Sequence, residues 1–143
     1  MSDELWNVVA AQNYGTLATI KKDGRPQLSD INYIAQPAAA NIGLIRISTR
    51  APLAKTHNLR RDPRASLKVT APNGRGYAVA EATAELSPVA TDRHDATVEE
   101  LIEVYRLVQG KEHPDWNDYR RAMVEDERLV LRLHVEKVYG WVM

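Results

Sequence analysis

Asp23-Gly24 stands between two runs rich in strand formers, Tyr14–Lys22 and Gln27–Ala35. An Asp-Gly pair in that setting is a strong β-hairpin signal, because both residues tolerate the positive φ that a tight turn needs. The hairpin commits the first third of the chain to antiparallel sheet. A third strand is predicted at Ile42–Thr49, a fourth at Arg64–Ala71, a fifth at Tyr77–Leu86 and a last at Arg128–Val138. In the last, Leu129, Leu131, Leu133 and Val135 alternate with Val130, Arg132, His134 and Glu136. Helices are predicted over residues 4–12, after Arg50 and from Asp92 onward. Pro52 suits the first turn of the second helix, with Thr49 as its cap, and Asp62-Pro63 stops it. In the third helix Val98, Leu101, Ile102, Tyr105 and Val108 share one face, and Gly110 ends it. Pro114 opens a fourth, with Trp116, Tyr119 and Met123 on one side. About six strands with helices between them, and no regular strand–helix alternation, describe a mainly β barrel with helical decoration.

The 143 residues suit one compact domain spanning 1–143. There is no Phe, so Leu, Ile, Val and Ala must fill the core, with Trp and Tyr adding bulk. No stretch is long and apolar enough to span a bilayer. The acidic start Met1-Ser2-Asp3-Glu4 lacks the regions of a signal peptide. A soluble cytoplasmic protein is the expectation. The absence of Cys removes disulfides, thiolate metal sites and thiol nucleophiles. His57, His94, His113 and His134 are widely spaced, and no metal site is expected. Gly-x-Gly-x-x-Gly, the Walker loop and the Gly-x-Ser-x-Gly elbow are all missing. Chemistry in such a chain would fall to a bound cofactor.

The net charge is zero, which argues against general nucleic-acid binding, but the charge is unevenly placed. Residues 1–80 carry eleven Lys/Arg and five Asp/Glu, whereas 81–127 carry thirteen acids and five bases. Residues 50–64 hold Arg50, Lys55, Arg60, Arg61 and Arg64 against Asp62 alone. Following a strand and opening a helix, with Ser48 and Thr49 just before, this segment suits a phosphate. An ordinary solvated helix face reads the same way. The polar residues Gln27, Ser29 and Asp30 inside a strand fit either an exposed sheet face or a strand laid along a planar heterocycle. Tyr77 and Trp141 either stack on such a ring or simply pack.

Read together, several stretches resemble the pyridoxamine-phosphate-oxidase-like superfamily. Thr16-Leu-Ala-Thr-Ile-Lys-Lys-Asp-Gly-Arg-Pro-Gln-Leu-Ser29 resembles its opening hairpin. Ala54-Lys-Thr-His-Asn-Leu-Arg-Arg-Asp-Pro-Arg-Ala-Ser66 resembles its helix and next strand, and Tyr77-Ala-Val-Ala-Glu81 its fifth strand. Asp115-Trp-Asn-Asp-Tyr-Arg-Arg-Ala-Met123 and Val138-Tyr-Gly140 resemble the branch that binds the deazaflavin F-420. The resemblance implies a six-stranded antiparallel split β-barrel that forms a homodimer with two interfacial cofactor sites. It implies an oxidoreductase that passes a hydride from reduced F-420 to an electron-poor substrate such as an activated double bond. The alternatives are an F-420 storage protein without turnover and an FMN-dependent oxidoreductase of the same superfamily. It further implies that Lys55 sits at the cofactor phosphate with Ser48 and Thr49, and that Gln27, Leu28, Ser29 and Asp30 run along the rings. Asn58 follows Lys55 by one turn, Tyr77 and Ala78 approach from the fifth strand, and Trp141 comes from the other subunit. The positive charge of Arg60 and its neighbours would meet the acidic oligoglutamate tail of F-420. The classical oxidase pattern has Arg where this chain has Ser29, and Arg-Lys where it has Ala54-Lys55, so the usual FMN grip is incomplete. No catalytic acid or base is assigned.

Overall fold

A computed structural model of the protein describes residues 3–143; Met1 and Ser2, read above as part of an acidic N-terminus, lie outside the described residues. The predicted hairpin is present. β1 (Tyr14–Ile20) pairs antiparallel with β2 (Pro26–Asn32), with Thr16 opposite Asp30 and Ala18 opposite Leu28. The turn closes through Gly24 N–H to the Lys21 carbonyl at 2.9 Å, with Gly24 at φ +88°.

The run predicted as one strand over 27–35 is in fact two. Tyr33 interrupts it, and the chain resumes as β3 (Ile34–Gln36), which pairs with β4 (Gly43–Arg50) instead of β1. With β5 (Arg64–Thr70), β6 (Gly76–Leu86) and β7 (Arg128–Val142), the sheet has seven strands where six were predicted, in the order β2-β1-β5-β6-β7-β4-β3. Its two ends are consecutive pieces of chain joined through Tyr33, so the antiparallel sheet must curl back on itself. Tyr33 is completely buried. Its N–H donates to the Asn13 carbonyl (3.0 Å) and its hydroxyl to the Val9 carbonyl (2.6 Å). Both acceptors lie at the end of α1 (Asp3–Ala11) or just after it, so the seam is tied to the first helix.

The inner face of the curl is the main core. Leu17, Leu67, Leu129, Leu131, Leu133, Ile45 and Ile47 are essentially inaccessible there. Each such side chain contributes about 1.5–3 kcal/mol. Ala78, Ala80 and Ala82 give β6 a small-residue inner face that lets the sheet bend tightly. A second core covers the outer face of β4 and β7. There α3 (Ala96–Gln109) and α4 (Trp116–Glu125) pack Val98, Leu101, Ile102, Tyr119 and Met123 over Val130. Asp95 caps α3 by accepting from Val98 N–H at 2.8 Å, and Gly110 follows its last residue. Ion pairs dock α3 further. Arg46 and Arg132 are register partners on β4 and β7, and both reach Glu100; Arg46 also bonds Glu103 and, at 2.6 Å, Gln36.

Two local expectations change. The second helix is shorter than predicted: α2 runs Ala54–Arg61, and its cap is Leu53, which makes no side-chain hydrogen bond. Thr49 is not the cap because it still belongs to β4, and Pro52 lies in the intervening turn. The last strand is longer than predicted and continues to Val142, passing a bulge at Glu136 where the register to β6 shifts.

Gly140 sits at φ +148°, and a Cβ there would lie 2.2 Å from the Tyr77 carbonyl oxygen. Gly140→Ala should therefore destabilise the fold by about 2 kcal/mol or more, from backbone strain and from prying β6 off β7. The urea midpoint at unchanged m-value measures this loss.

Candidate functional site

Because the sheet curls, the outer faces of β2 and β4 approach each other across the seam. A cleft of about 460 Å³ lies there, within the size range of small-molecule sites. Its floor is Tyr14, Asp30, Ile31 and Asn32 from β1 and β2. One wall is polar: Ser48 and Arg50 of β4, Lys55 of α2 and Arg128 of β7. The other is helical: Val104, Tyr105, Val108 and Gln109 of α3, with Tyr119 and Met123 of α4.

The polar wall gathers three cations. Arg50 and Arg128 stand directly opposite each other in the β4–β7 register, an arrangement of like charges that costs stability when unrelieved. The turn into α2 is fastened to the same place by Ala51 N–H to the Glu127 carbonyl (2.9 Å) and Arg50 Nε to the Asp126 carbonyl (3.3 Å). That fastening brings Lys55 in as the third cation. Burial, and after it the Arg128 charge, hold the Lys55 ammonium below the ordinary lysine value. Arg128 Nη1 donates to Ser48 Oγ at 3.4 Å, which leaves the serine proton for another acceptor. The Arg128 Nε is buried without a partner among the described residues, an unmet donor of the kind native structures rarely leave. An anion with several acceptor oxygens would satisfy these groups together, and a phosphate fits them.

The floor is different. Asp30 Oδ1 accepts from Thr16 Oγ1 at 3.0 Å. By hydrogen bonding and then by its charge, Asp30 raises the phenol of Tyr14. Behind the helical wall, Tyr119 donates to the Leu101 carbonyl (3.1 Å) and is pushed up to about 12, chiefly by burial.

Of the residues singled out in the sequence, Asp30, Ser48, Thr49 and Lys55 come together at the cleft. Thr49 lines it with its hydroxyl engaged at Thr56 Oγ1, 3.3 Å away. Leu28 lies on the same outer face of β2 as Asp30, one pair further along and exposed. Gln27 and Ser29 occupy the alternate positions, opposite the buried Thr19 and Leu17, and so face inward; Ser29 Oγ is buried and unpaired. Asn58 is buried too, donating to Thr19 Oγ1 (3.1 Å) and accepting from Arg61 Nη2 (2.9 Å). Arg60 is exposed at the C-terminal end of α2. Ala78 is in the inner core. Tyr77 and Trp141 are register partners on the outer face. Arg128 opens β7 at the cleft and Trp141 stands near the other end of that strand, so Trp141 lies away from the cleft of its own chain. Sequence reasoning put Arg50 in the basic segment without assigning it to the site, and singled out neither Arg128 nor the individual residues of the helical wall for that site. The opposition of Arg50 and Arg128 depends on a strand pairing across 78 residues that no local pattern encodes.

The crowding of cations gives a direct measurement. In folded protein the proton on Lys55 is disfavoured, so stability should rise as pH climbs through the lowered Lys55 value toward the ordinary lysine range. Side-chain NMR should find Lys55 titrating below the ordinary lysine value. Arg128→Gln should move it upward but not fully back, because burial is the larger cause.

The family model for pyridoxamine 5'-phosphate oxidase matches residues 1–142. Solved structures share the fold. A conserved hypothetical protein from Mycobacterium tuberculosis superposes with a TM-score of 0.73 at 27% identity, over 99% of this chain and 85% of its own. A protein named F420 reductase gives 0.68 at 17% identity, over 97% and 98%. An FAD-binding protein from Mesorhizobium loti gives 0.63 at 20% identity, over 98% and 94%. With a curled antiparallel sheet of the matching kind and a family model spanning almost every residue, the chain belongs to the pyridoxamine 5'-phosphate oxidase family.

Proposed function

We propose that the protein is a homodimeric cytoplasmic oxidoreductase that holds reduced F-420 and passes its hydride to an electron-poor organic substrate such as an activated double bond. The observation that carries this reading is the cation cluster of Lys55, Arg50 and Arg128 with Ser48 at one end of a cleft whose floor is β2. Lys55 and Arg128 hold the phosphate, and Ser48 donates to it. The outer face of β2, Leu28 and Asp30, lies along the rings, with the backbone of Gln27 and Ser29 between them. When bound, the deazaflavin supplies a two-electron hydride donor. The chain binds and orients it and limits water around it. Family membership and the fold shared with a protein named F420 reductase support the reading.

A second basic group favours F-420 over FMN. Arg61 Nη2 donates to the Ile20 carbonyl at 2.7 Å, which ties the hairpin tip, with Lys21, Lys22 and Arg25, to the C-terminal end of α2. Arg60 is there too, five residues beyond Lys55 on the same helix, about 7.5 Å along its axis. Arg61 is spent on the hairpin and Arg64 on Asp62 (2.7 Å). Arg60, Lys21, Lys22 and Arg25 therefore carry the attraction for an acidic tail. The FMN-dependent reading draws on the FAD-binding neighbour and on the phosphate cluster, which serves either cofactor.

An uncovered sheet face supports the homodimer. Helices cover the outer side of β4 and β7's first half, but the outer rows Asp30–Thr16–Lys68–Val79–Tyr139 and Leu28–Ala18–Ser66–Glu81–Lys137 carry no layer. Leu28, Tyr77, Tyr139 and Trp141 are exposed there among polar neighbours, large apolar side chains of the kind that interfaces bury. The first row begins at the cleft floor, so a second copy seated on this face would wall the cleft and bring its own Trp141 to it.

Fluorescence titrations with F-420, FMN and riboflavin test this. F-420 should bind more tightly than FMN, and riboflavin, without phosphate, weakest. Lys55→Ala and Arg128→Ala should each weaken F-420 and FMN about 10- to 100-fold, the loss of a charged hydrogen bond, and leave riboflavin unchanged. Arg60→Ala should weaken F-420 alone. Equal affinity for FMN and riboflavin in the wild type would sink the assignment.

A further inference from the structure

The two walls of the cleft differ in chemistry, and the phosphate reading accounts for only one. The cations of the cleft lie on the polar wall, where one phosphate satisfies them. The helical wall offers Val104, Val108, Met123 and the rings of Tyr105 and Tyr119, with Gln109 as its amide. It has no charged lining residue. A phosphorylated or otherwise anionic substrate would need a second cationic subsite, and that wall does not supply one.

Tyr105 is the polar handle of this wall. Its ring is clamped by three neighbours: His113 at 5.2 Å, Trp116 at 5.6 Å and Tyr119 at 5.2 Å between centroids, all edge-to-face. Contacts of this kind hold a ring in one orientation. The clamp is itself fastened: Glu112 accepts from Trp116 Nε1 (3.2 Å) and from Arg106 Nε (2.7 Å), and the Arg106 guanidinium lies 5.0 Å from the Trp116 ring. Tyr119, the other phenol on the wall, spends its proton on the Leu101 carbonyl. Asp30 engages Tyr14 on the floor. The Tyr105 hydroxyl makes no hydrogen bond to any described residue. A rigid, unpartnered donor among apolar side chains suits recognition of one oxygen on an otherwise apolar molecule.

We propose that the α3–α4 wall is the substrate side of the cleft and takes an uncharged, planar carbonyl compound, whose oxygen accepts a hydrogen bond from Tyr105. This rests on the reading that the opposite wall takes the cofactor phosphate. Tyr105 is here a binding and specificity residue.

Calorimetric titration of the purified protein in saturating inorganic phosphate, which occupies the cations of the polar wall, with chromone, a neutral bicyclic enone, and with chromone-2-carboxylate tests it. Wild-type protein should bind chromone more tightly than the carboxylate. Tyr105→Phe, which keeps the ring and its three contacts, should weaken chromone about fivefold, the worth of one neutral hydrogen bond, at an unchanged melting temperature. Lys55→Ala should leave chromone binding as it was. No binding of chromone, equal binding to Tyr105→Phe, or tighter binding of the carboxylate would overturn the proposal. F-420 titration of the same preparations separates the two readings. Lys55-dependent F-420 binding beside Tyr105-independent chromone binding removes only this proposal. Tyr105-dependent chromone binding without F-420 binding supports it and removes the cofactor assignment.

Discussion

Tyr33 joins two strands that lie at opposite ends of the sheet order. Between β2 and β3 it is the single intervening residue, wholly buried and bonded through both N–H and hydroxyl to the end of α1 and the residues after it. Much else depends on that connection. It forces the sheet to curl, so Leu17, Leu67 and Leu131 meet in one core. It also brings the outer side of β2 against the outer side of β4. Without that seam, Asp30 on β2 and the turn from β4 into α2 that carries Lys55 would lie toward opposite ends of an open sheet, and no cleft would form between them.

Within the cleft the chain tolerates an electrostatic cost. Arg50 faces Arg128 across a strand pair, and Lys55 loses part of its hydration beside them. On the same two strands the protein pairs the buried Arg46 and the half-buried Arg132: also register partners, they share Glu100 and reach further carboxylates. The two arginine pairs on the same two strands differ in their carboxylates. One pair is neutralised from within and docks a helix. The other has no carboxylate partner among the described residues, and an added anion would relieve it.

The parts of the fold legible in the sequence were those set by neighbours along the chain. The Asp23-Gly24 turn, the apolar face of α3 and the leucine alternation of β7 all have a local period. Tyr33 gave no such sign, since it continues a strand-like run and its role is defined by α1 and β4. The site divides in the same way. Ser48, Thr49 and Lys55 were legible as a basic segment after a strand, and Asp30 from the resemblance of its hairpin. Arg128 stood at the end of a strand with nothing nearby to mark it. Asn58 shares a helix face with Lys55, but its side chain is taken by Thr19, thirty-nine residues away. Gln27 and Ser29 alternate with Leu28 and Asp30, so one strand sends its polar residues to two different faces.

The central claim is that one cluster, built across the β4–β7 pairing and α2, grips the cofactor phosphate. The most direct measurement is an NMR map of the labelled protein as F-420 is added, with side-chain signals of Lys and Arg resolved. The expected result is that the largest shifts fall on Ser48, Lys55 and Arg128, with a second set at Asp30 and Leu28 on β2. Shifts confined to the hairpin tip around Lys21 and Lys22, or spread over Arg46 and Glu100 with Lys55 and Arg128 silent, would contradict the account.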